Sequence, residues 1–224
     1  MLSAALKRWG DPRLSSVLLG GKGLWTKREQ RILRRELRPF ARRVVVISDL
    51  ELSHRGAFGD GPGVLLIGGT GSAALGRDSR DSRGRWRRAG GWGPLLGDEG
   101  SAFWIGKRAL KDPRLSRLWP DDLPLRVGRG KDPIRATASL ARTVLSRASR
   151  GDAAARALRR RAAQALAALA RDAAKDLPRP VPLVLHGGLF KDASLRRETL
   201  ALLRGFQAQQ PAMAPEQAGA LIVG

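Results

Sequence analysis

The chain contains no cysteine and no tyrosine, and it has only two histidines. Without cysteine it cannot form a disulfide framework, a thiolate-ligated zinc site, an iron–sulfur cluster or a cysteine nucleophile. The two histidines, His54 and His186, lie far apart in the sequence. Two isolated imidazoles do not make a metal site, so we predict no metal-ligating side chains.

Long apolar runs are also missing from the sequence. No stretch approaches the roughly 20 residues that a membrane-spanning helix needs. The first residues, Met1–Trp9, lack the continuous apolar core of a secretory signal. We therefore expect a cytoplasmic protein with no membrane partner.

Acidic residues are scarce: 20 Asp and Glu stand against 42 Lys and Arg, giving a formal net charge of +22. Such a charge favours an anionic partner, either nucleic acid or a membrane surface. A compositional explanation competes, because most basic residues are arginines beside abundant alanine and glycine, the pattern of a GC-rich coding sequence. The basic residues are interleaved with alanine rather than with aromatic rings, which argues against a base-stacking surface. Nucleic acid is therefore the less favoured partner.

A length of 224 residues allows one large domain or two modest ones. The first elements predict a strand–helix–strand unit. Ser16–Leu19 is predicted as a buried strand, and Thr26 and Glu29 form a capping box for a helix over Thr26–Phe40. Val44–Ile47 is continuously apolar and β-branched, as in a strand buried on both faces. The order predicts a βαβ unit with parallel strands.

The remaining elements predict a mixed α/β protein. Val64–Ile67 is a predicted strand, Ala73–Leu75 a returning strand, and Arg77–Arg88 an exposed hairpin tip around Gly84. Asp152 is expected to cap a long helix reaching about Leu177. We also expect a helix capped by Ser101 and an irregular segment over Lys111–Lys131. Further along the chain we expect a strand over Pro182–Leu185 and a helix capped by Ser194. On the long helix we expect a solvated face formed by Arg156, Arg159, Arg160 and Arg171.

Glycine pairs follow three of the predicted strands: Gly20-Gly21, Gly68-Gly69 and Gly187-Gly188. Glycine at a strand end exposes backbone N–H groups and allows a phosphate to approach closely. The best candidate is Gly68–Ser72, where Thr and Ser hydroxyls can also donate to phosphate oxygens. A tight hairpin turn explains the same residues equally well. The segment is not a Walker A loop, because no Gly-Lys-Ser/Thr follows at the required spacing.

Two acidic positions are candidate chemical groups. Asp49 follows the strand over Val44–Ile47, where α/β folds place their ligands, and it could accept a proton from a substrate hydroxyl. Asp98 follows a loop in which Trp92 is flanked by glycines, and that indole could stack on a sugar face. Helix capping is the alternative for both carboxylates.

Two long segments carry a family resemblance. Pro62–Ser72 and Gly90–Ser101 resemble the second phosphate loop and the signature loop of the BadF/BadG/BcrA/BcrD ATPase and N-acetylglucosamine kinase family. Weaker similarity extends through Asp49, the long helix, Leu185–Gly188 and Gly219–Ile222. The resemblance implies an α/β protein with the ribonuclease H-like fold of actin-type ATPases.

The resemblance also implies roles for individual residues. Asp49 is similar to the general base that faces the sugar hydroxyl. The ATP phosphates would be held by Gly69, Thr70, Gly71 and Ser72. The sugar pocket would be shaped by Gly91, Trp92, Gly93 and Asp98. The adenosine would lie at Gly187 and Gly188. The implied cofactors are ATP and Mg²⁺.

The sequence departs from the family pattern in two respects. Members begin with an Asp-Gly-Gly-Gly-Thr-Lys-type phosphate loop, and nothing here matches it, so we expect an N-terminally truncated first lobe and a complete second lobe. The expected boundaries are residues 1–61 for the first lobe, 62–205 for the second, and 206–224 for a segment returning to the first. The absence of cysteine excludes the iron–sulfur branch of the family.

These observations favour an ATP-dependent sugar kinase, with N-acetylglucosamine or a related hexosamine as the acceptor. An active kinase and a form made inactive by the missing first phosphate loop are both open for this chain. A non-catalytic module that binds nucleotide or sugar is the alternative, and a basic nucleic-acid-associated protein is the third possibility. The expected partners are the sugar and ATP, and a homodimer remains open.

Overall fold

The computed structural model describes residue 7 and residues 14–78 and 84–223. The chain divides into two compact units. One contains the described residues of Met1–Gly59 and Pro211–Gly224, and the other those of Asp60–Gln210.

The first unit opens with a βαβ arrangement. Strands β1 (Leu14–Gly21) and β2 (Ala41–Ser48) pair in parallel, with Val17 opposite Val44, and helix α1 (Lys27–Leu37) connects them. The predicted parallel unit is confirmed. Helix α2 (Asp49–Phe58) follows β2 directly.

The capping box predicted at Thr26 is present. The Thr26 N–H donates to Glu29 Oε2 at 2.8 Å, and the Glu29 N–H donates to Thr26 Oγ1 at 3.2 Å. The bond from the Thr26 backbone holds the pKa of the Glu29 carboxyl below its ordinary value. The helix ends at Leu37, before the predicted Phe40, and Arg38–Phe40 forms a 3₁₀ turn that contains Pro39. Proline cannot donate a helical N–H and so ends the α-helix early.

A mixed sheet forms the centre of the second unit. Strands β3 (Gly63–Gly68), β4 (Ser72–Arg77) and β5 (Trp86–Gly90) form an antiparallel meander. A hairpin between β4 and β5 is confirmed, but the exposed tip predicted over Arg77–Arg88 is wrong at its ends, because Arg77 is buried in β4 and Trp86–Arg88 belong to β5. Residues 79–83 of the tip lie outside the described residues.

Helices follow the meander along the chain. Their bounds are α3 Gly93–Leu96, α4 Ala102–Lys111, α5 Leu123–Arg129, α6 Pro133–Ser139, α7 Ala141–Ser149 and α8 Ala153–Ala173. Ser101 caps α4 and Asp152 caps α8, as predicted. The irregular segment predicted over Lys111–Lys131 is wrong in part, because α5 forms there with Pro124 in its first turn, where proline is tolerated.

Two parallel strands complete the sheet. Strand β6 (Val181–His186) pairs in parallel with β3, and β7 (Phe206–Ala208) pairs in parallel with β6, which gives the order β5-β4-β3-β6-β7. Between these strands lie a 3₁₀ turn, Gly188–Lys191, and helix α9 (Ala193–Ala201).

The cap predicted for this helix at Ser194 is wrong. The Asp192 carboxylate accepts a hydrogen bond from Leu195 N at 2.7 Å, so the helix starts two residues earlier.

The long helix α8 covers the meander and supplies much of the core. Its apolar stripe packs against residues of β3, β6 and α9. The fully buried residues of this core include Leu166 and Ala170 of α8, Val64 of β3, Leu183 of β6 and Leu195 of α9. Gly76 of β4 permits close approach, since a Cβ there would lie 2.1 Å from Ala173 O.

The expectation that Arg159 lies on the solvated face of α8 is wrong. Arg159 is buried and its Nη2 donates to Glu198 Oε1 of α9 at 2.8 Å. A buried guanidinium needs such a partner, because an unpaired buried charge is costly. Arg156, Arg160 and Arg171 are exposed, as expected.

The chain then re-enters the first unit. Helix α10 (Pro215–Val223) packs against α2 and β1. The backbone of the approach segment is tied to α2, since Met213 N donates to Gly56 O at 2.9 Å.

Close packing between α4 and α6 generates a test of the fold. A Cβ on Gly106 of α4 would lie 2.0 Å from Thr137 O of α6, so Gly106→Ala forces the helices apart. We expect a destabilisation of about 1–3 kcal/mol in urea unfolding, typical of overpacking. Gly128→Ala in α5 is the matched control, because nothing lies within 4 Å of a Cβ added at that position. There the gain in helix propensity should leave stability unchanged or raise it by up to about 1 kcal/mol. Equal unfolding midpoints for the two variants would contradict this packing.

Candidate functional site

The predicted phosphate loop is the turn between β3 and β4. Within the turn, Gly69 N donates a hydrogen bond to Gly71 O at 2.9 Å. From α4, Ala102 N donates to Gly69 O at 2.9 Å, and Phe103 N donates to Thr70 O at 3.2 Å. The first N–H groups of α4 are therefore satisfied by the loop. The hairpin interpretation of Gly68–Ser72 is confirmed, and it does not exclude the phosphate role.

The loop presents donors of its own. Within the described part of the chain, no acceptor takes the backbone N–H of Thr70 or Gly71, and the Thr70 side chain is exposed. Adjacent outward N–H groups with a neighbouring hydroxyl form an anion-binding concavity. The arrangement suits a phosphate.

Asp98, which belongs to the signature loop, binds the phosphate loop and holds it in position. Its Oδ1 accepts a hydrogen bond from Ser72 N at 3.3 Å, and Ser72 Oγ donates to Glu99 O at 2.7 Å. Asp98 is buried and has φ of 60°. Gly71 leaves room for the carboxylate, since a Cβ there would lie 2.7 Å from Asp98 Oδ2. Capping does not explain this side chain, because Ser101 accepts from Trp104 N at 3.1 Å and performs that role.

The signature loop joins the same structure through its backbone. Gly91 N donates to Ser72 O at 2.9 Å, and Gly91 and Gly93 have φ of 71° and 84°, values that favour glycine. Trp92 is 66% exposed, so its indole is accessible to a ligand.

Arg88 holds this loop and was missed by the sequence analysis. Its Nε and Nη2 donate to Gly90 O and Gly91 O at 2.9 and 2.8 Å. Its guanidinium also lies 4.5 Å from the centre of the Trp92 ring. In sequence, Arg88 is indistinguishable from the other hairpin arginines.

The predicted adenosine turn meets the phosphate loop because β6 is the parallel neighbour of β3. Ile67 is opposite His186, so the two strands end side by side. Gly187 has φ of 108°, and a Cβ there would lie 2.4 Å from Gly68 O. Only glycine permits this contact between the two turns.

A cavity of about 730 Å³ opens where these turns meet. Gly69 and Thr70 line one side, and Gly188 and Leu189 line another. The volume is in the range of sites for small molecules and cofactors. The structure thus brings Gly69, Thr70 and Gly188 into one cavity.

The third wall of this cavity was not predicted. It is formed by Arg135 and Ser139 of α6 and by Arg142 and Ser146 of α7, and the two residues of each pair are four positions apart on one face of their helix. Lys191 also lines the cavity, and the neighbouring Asp192 carboxylate is engaged in capping α9. No ion pair engages Arg135, Arg142 or Lys191 within the described residues. Their sequence pattern alone is that of a solvated face.

Asp49 lies in the first unit and is exposed. Ser48 caps α2 by accepting from Glu51 N at 3.0 Å, so the capping interpretation of Asp49 is wrong. The Asp49 carboxylate accepts only a local bond from Leu50 N, at 2.9 Å, among the contacts of the described residues. It remains accessible at the carboxyl end of β2.

The described residues contain neither a metal-binding cluster nor a membrane-spanning helix. Across residues 14–78 and 84–223, no three His, Cys, Asp or Glu side chains cluster closely enough to hold a metal ion. Over the same ranges, no helix is both long and apolar enough to span a membrane.

The contact between Gly71 and Asp98 generates a test of the loop. Gly71→Ala places a methyl group against a buried carboxylate, and we expect a loss of about 1–3 kcal/mol in the free energy of unfolding. Gly69→Ala is the control, because the nearest atom to its added Cβ is Gly71 O at 4.0 Å. Differential scanning calorimetry should show a lower Tm for Gly71→Ala only. A parental Tm for Gly71→Ala would contradict the described contact.

Comparison with known proteins places this site in a family. Residues 48–214 match the BadF/BadG/BcrA/BcrD ATPase family. The N-acetylmuramic acid/N-acetylglucosamine kinase of Clostridium acetobutylicum is 33% identical over 99 residues, which are 43% of this chain and 31% of that protein. The N-acetyl-D-glucosamine kinase of Dictyostelium discoideum is 49% identical over 49 residues, 22% of this chain and 14% of that protein. The matched segments thus span less than a third of these curated relatives.

Solved structures extend the similarity over the chain. A candidate N-acetylglucosamine kinase from Chromobacterium violaceum superposes with a TM-score of 0.72 at 28% identity, covering 100% of this chain and 82% of that one. A second, from Porphyromonas gingivalis, has a TM-score of 0.69 at 21% identity over 99% and 82% of the two chains, which supports the fold alone. The predicted α/β fold of the actin-type ATPases is confirmed. The chain therefore belongs to the BadF/BadG/BcrA/BcrD ATPase family.

Proposed function

We propose that the chain is an ATP-dependent sugar kinase whose acceptor is N-acetylglucosamine or a related hexosamine. The observation that carries the proposal is the cavity between Gly69-Thr70 and Gly188, with the N–H groups of Thr70 and Gly71 unused within the described residues. Family membership and the named activities of the relatives support the same conclusion.

The nucleotide would occupy this cavity. Its phosphates would lie on Gly69, Thr70, Gly71 and Ser72, and its adenosine at Gly187 and Gly188. The three cations Arg135, Arg142 and Lys191 complement the negative charge of a triphosphate. The apolar side chains of Ala138, Leu145 and Leu189 offer a surface for the base.

Magnesium would be bound together with the nucleotide. Mg²⁺ commonly takes one or two carboxylates, waters and substrate phosphates rather than an all-protein cage. The Asp98 carboxylate beside the phosphate loop is already bound by Ser72 N, so the ion would be held by the nucleotide phosphates and by waters. It would neutralise phosphate charge.

The sugar would contact the signature loop, with Gly91, Trp92, Gly93 and Asp98 shaping its pocket. The exposed Trp92 indole suits a sugar face. Asp49 would accept the proton of the attacking hydroxyl as that oxygen bonds to the γ-phosphorus. The bond from this phosphorus to the β,γ-bridging oxygen breaks, and ADP carries the electron pair away. Positioning and charge neutralisation then account for most of the catalysis.

Asp49→Asn tests the general-base role. Loss of the proton acceptor should lower kcat by about 10²–10⁴-fold in a coupled ADP-release assay with N-acetylglucosamine. Glu51→Gln removes the same charge from the same helix, where Glu51 pairs with Arg55, and should keep kcat near the parental value. If Asp49→Asn retained kcat within a few-fold of the parent, the assignment would be wrong. ATP binding without turnover on any hexosamine would instead favour the non-catalytic binding module.

The cationic wall of the cavity is tested by direct nucleotide binding. Arg142→Gln combined with Lys191→Gln should weaken MgATP binding at least tenfold in isothermal titration calorimetry, with a reduced salt dependence. Arg147→Gln combined with Arg150→Gln removes the same charge from exposed positions at the end of α7 and should bind as the parent does. Equal losses in both variants would show that only the net charge matters.

A further inference from the structure

A second cavity, of about 590 Å³, lies in the same unit and is not lined by Thr70 or Gly188. Its walls come from α4, from the first half of α8 and from the Pro94–Gly97 part of the signature loop. It shares no lining residue with the nucleotide cavity. We refer to it as the basic cavity.

Cations from two helices converge on the basic cavity. Lys107, Arg108 and Lys111 project from α4, and Arg161 from α8. Among the described residues, none of these four forms an ion pair. Lys107 and Lys111 are four residues apart on one helix, a spacing at which like charges repel. An anion in the cavity would relieve this repulsion.

The acidic residues of the cavity do not neutralise the cluster. Asp112 is engaged by Arg114, whose Nη2 lies 3.1 Å from Asp112 Oδ2, and the hydrogen bonds from Arg114 hold the pKa of that carboxyl below its ordinary value. Glu99 is the other acidic lining residue. Four cations against one uncommitted carboxylate leave the basic cavity with a positive charge.

Aromatic rings contact three of the four cationic groups without removing their charge. The Arg108 and Arg161 guanidiniums lie 4.6 and 6.0 Å from the centre of the Trp104 ring, and Lys107 Nζ lies 5.7 Å from that of Phe103. Such contacts orient a cation while leaving its N–H donors available. Guanidinium forks held in this way match the oxygens of a phosphate.

We propose that the basic cavity is a binding site for a small anion carrying two or more phosphate-type charges, separate from the nucleotide cavity. Its concave shape and volume fit a small ligand rather than an extended polymer. A ligand there would contact Pro94–Gly97. If the proposed sugar role of the signature loop holds, the anion would also influence the acceptor site.

Isothermal titration with inorganic pyrophosphate tests the site, using the whole chain. Because the nucleotide cavity also binds phosphates under the proposed function, the parent should show two binding events. Lys107→Gln with Arg161→Gln should weaken one of the two events at least tenfold. Arg142→Gln with Lys191→Gln should remove the other. Lys107→Arg should retain both events, because it keeps the charge.

The control is Arg147→Gln with Arg150→Gln, which loses the same charge outside both cavities. An unchanged isotherm for the Lys107/Arg161 variant would overturn the proposal, as would an equal loss in the control. Binding of a single-stranded oligonucleotide at these residues, without pyrophosphate binding, would also overturn it. If the parent shows a single event, and that event depends on Lys107 and Arg161 but not on Arg142 and Lys191, the proposed nucleotide site fails while the basic cavity stands.

Discussion

The contact between Asp98 and the phosphate loop is the interaction on which the rest of the site depends. A buried carboxylate must be compensated by donors, and the Ser72 N–H supplies one at 3.3 Å. The contact requires a left-handed backbone at Asp98 and no side chain at Gly71. Since Gly91 N also donates to Ser72 O, the signature loop and the phosphate loop are joined by hydrogen bonds at Ser72. The proposed phosphate and sugar sites therefore share their support.

The order of the strands brings the glycine turn at Gly187 and Gly188 next to the phosphate loop. The meander places the phosphate loop at the carboxyl end of β3, and the chain returns through four helices after α4 before β6 pairs in parallel with β3. Carboxyl ends of parallel neighbours meet at one edge, where α/β folds bind ligands. Gly187 and Gly68 touch for this reason, although they are distant in sequence.

Local patterns in the sequence were sufficient to predict helices, strands and caps, because interactions between residues close in sequence determine them. The capping box at Thr26, the apolar strand Val64–Ile67 and the long alanine-rich helix were predicted because side-chain periodicity and caps act over a few residues. The burial of Arg159 was not predicted, because it depends on Glu198, which lies on another helix. The cavity wall on α6 and α7 was missed similarly. A stripe of arginine and serine looks solvated until tertiary packing places it opposite a glycine turn.

The distribution of charge sharpens what the net charge of +22 means. Several arginines already have partners in the structure: Arg87 pairs with Asp176, the buried Arg159 pairs with Glu198, and Arg88 supports the signature loop. The exposed pair of Arg87 and Asp176 contributes little binding energy or stability. The informative cations are those that converge from different elements on a concave surface without acidic partners among the described residues. Arg142 and Lys191 do so beside the phosphate loop, and Lys107 and Arg161 do so beneath the signature loop. Convergence, rather than total charge, therefore identifies where an anion would be recognised.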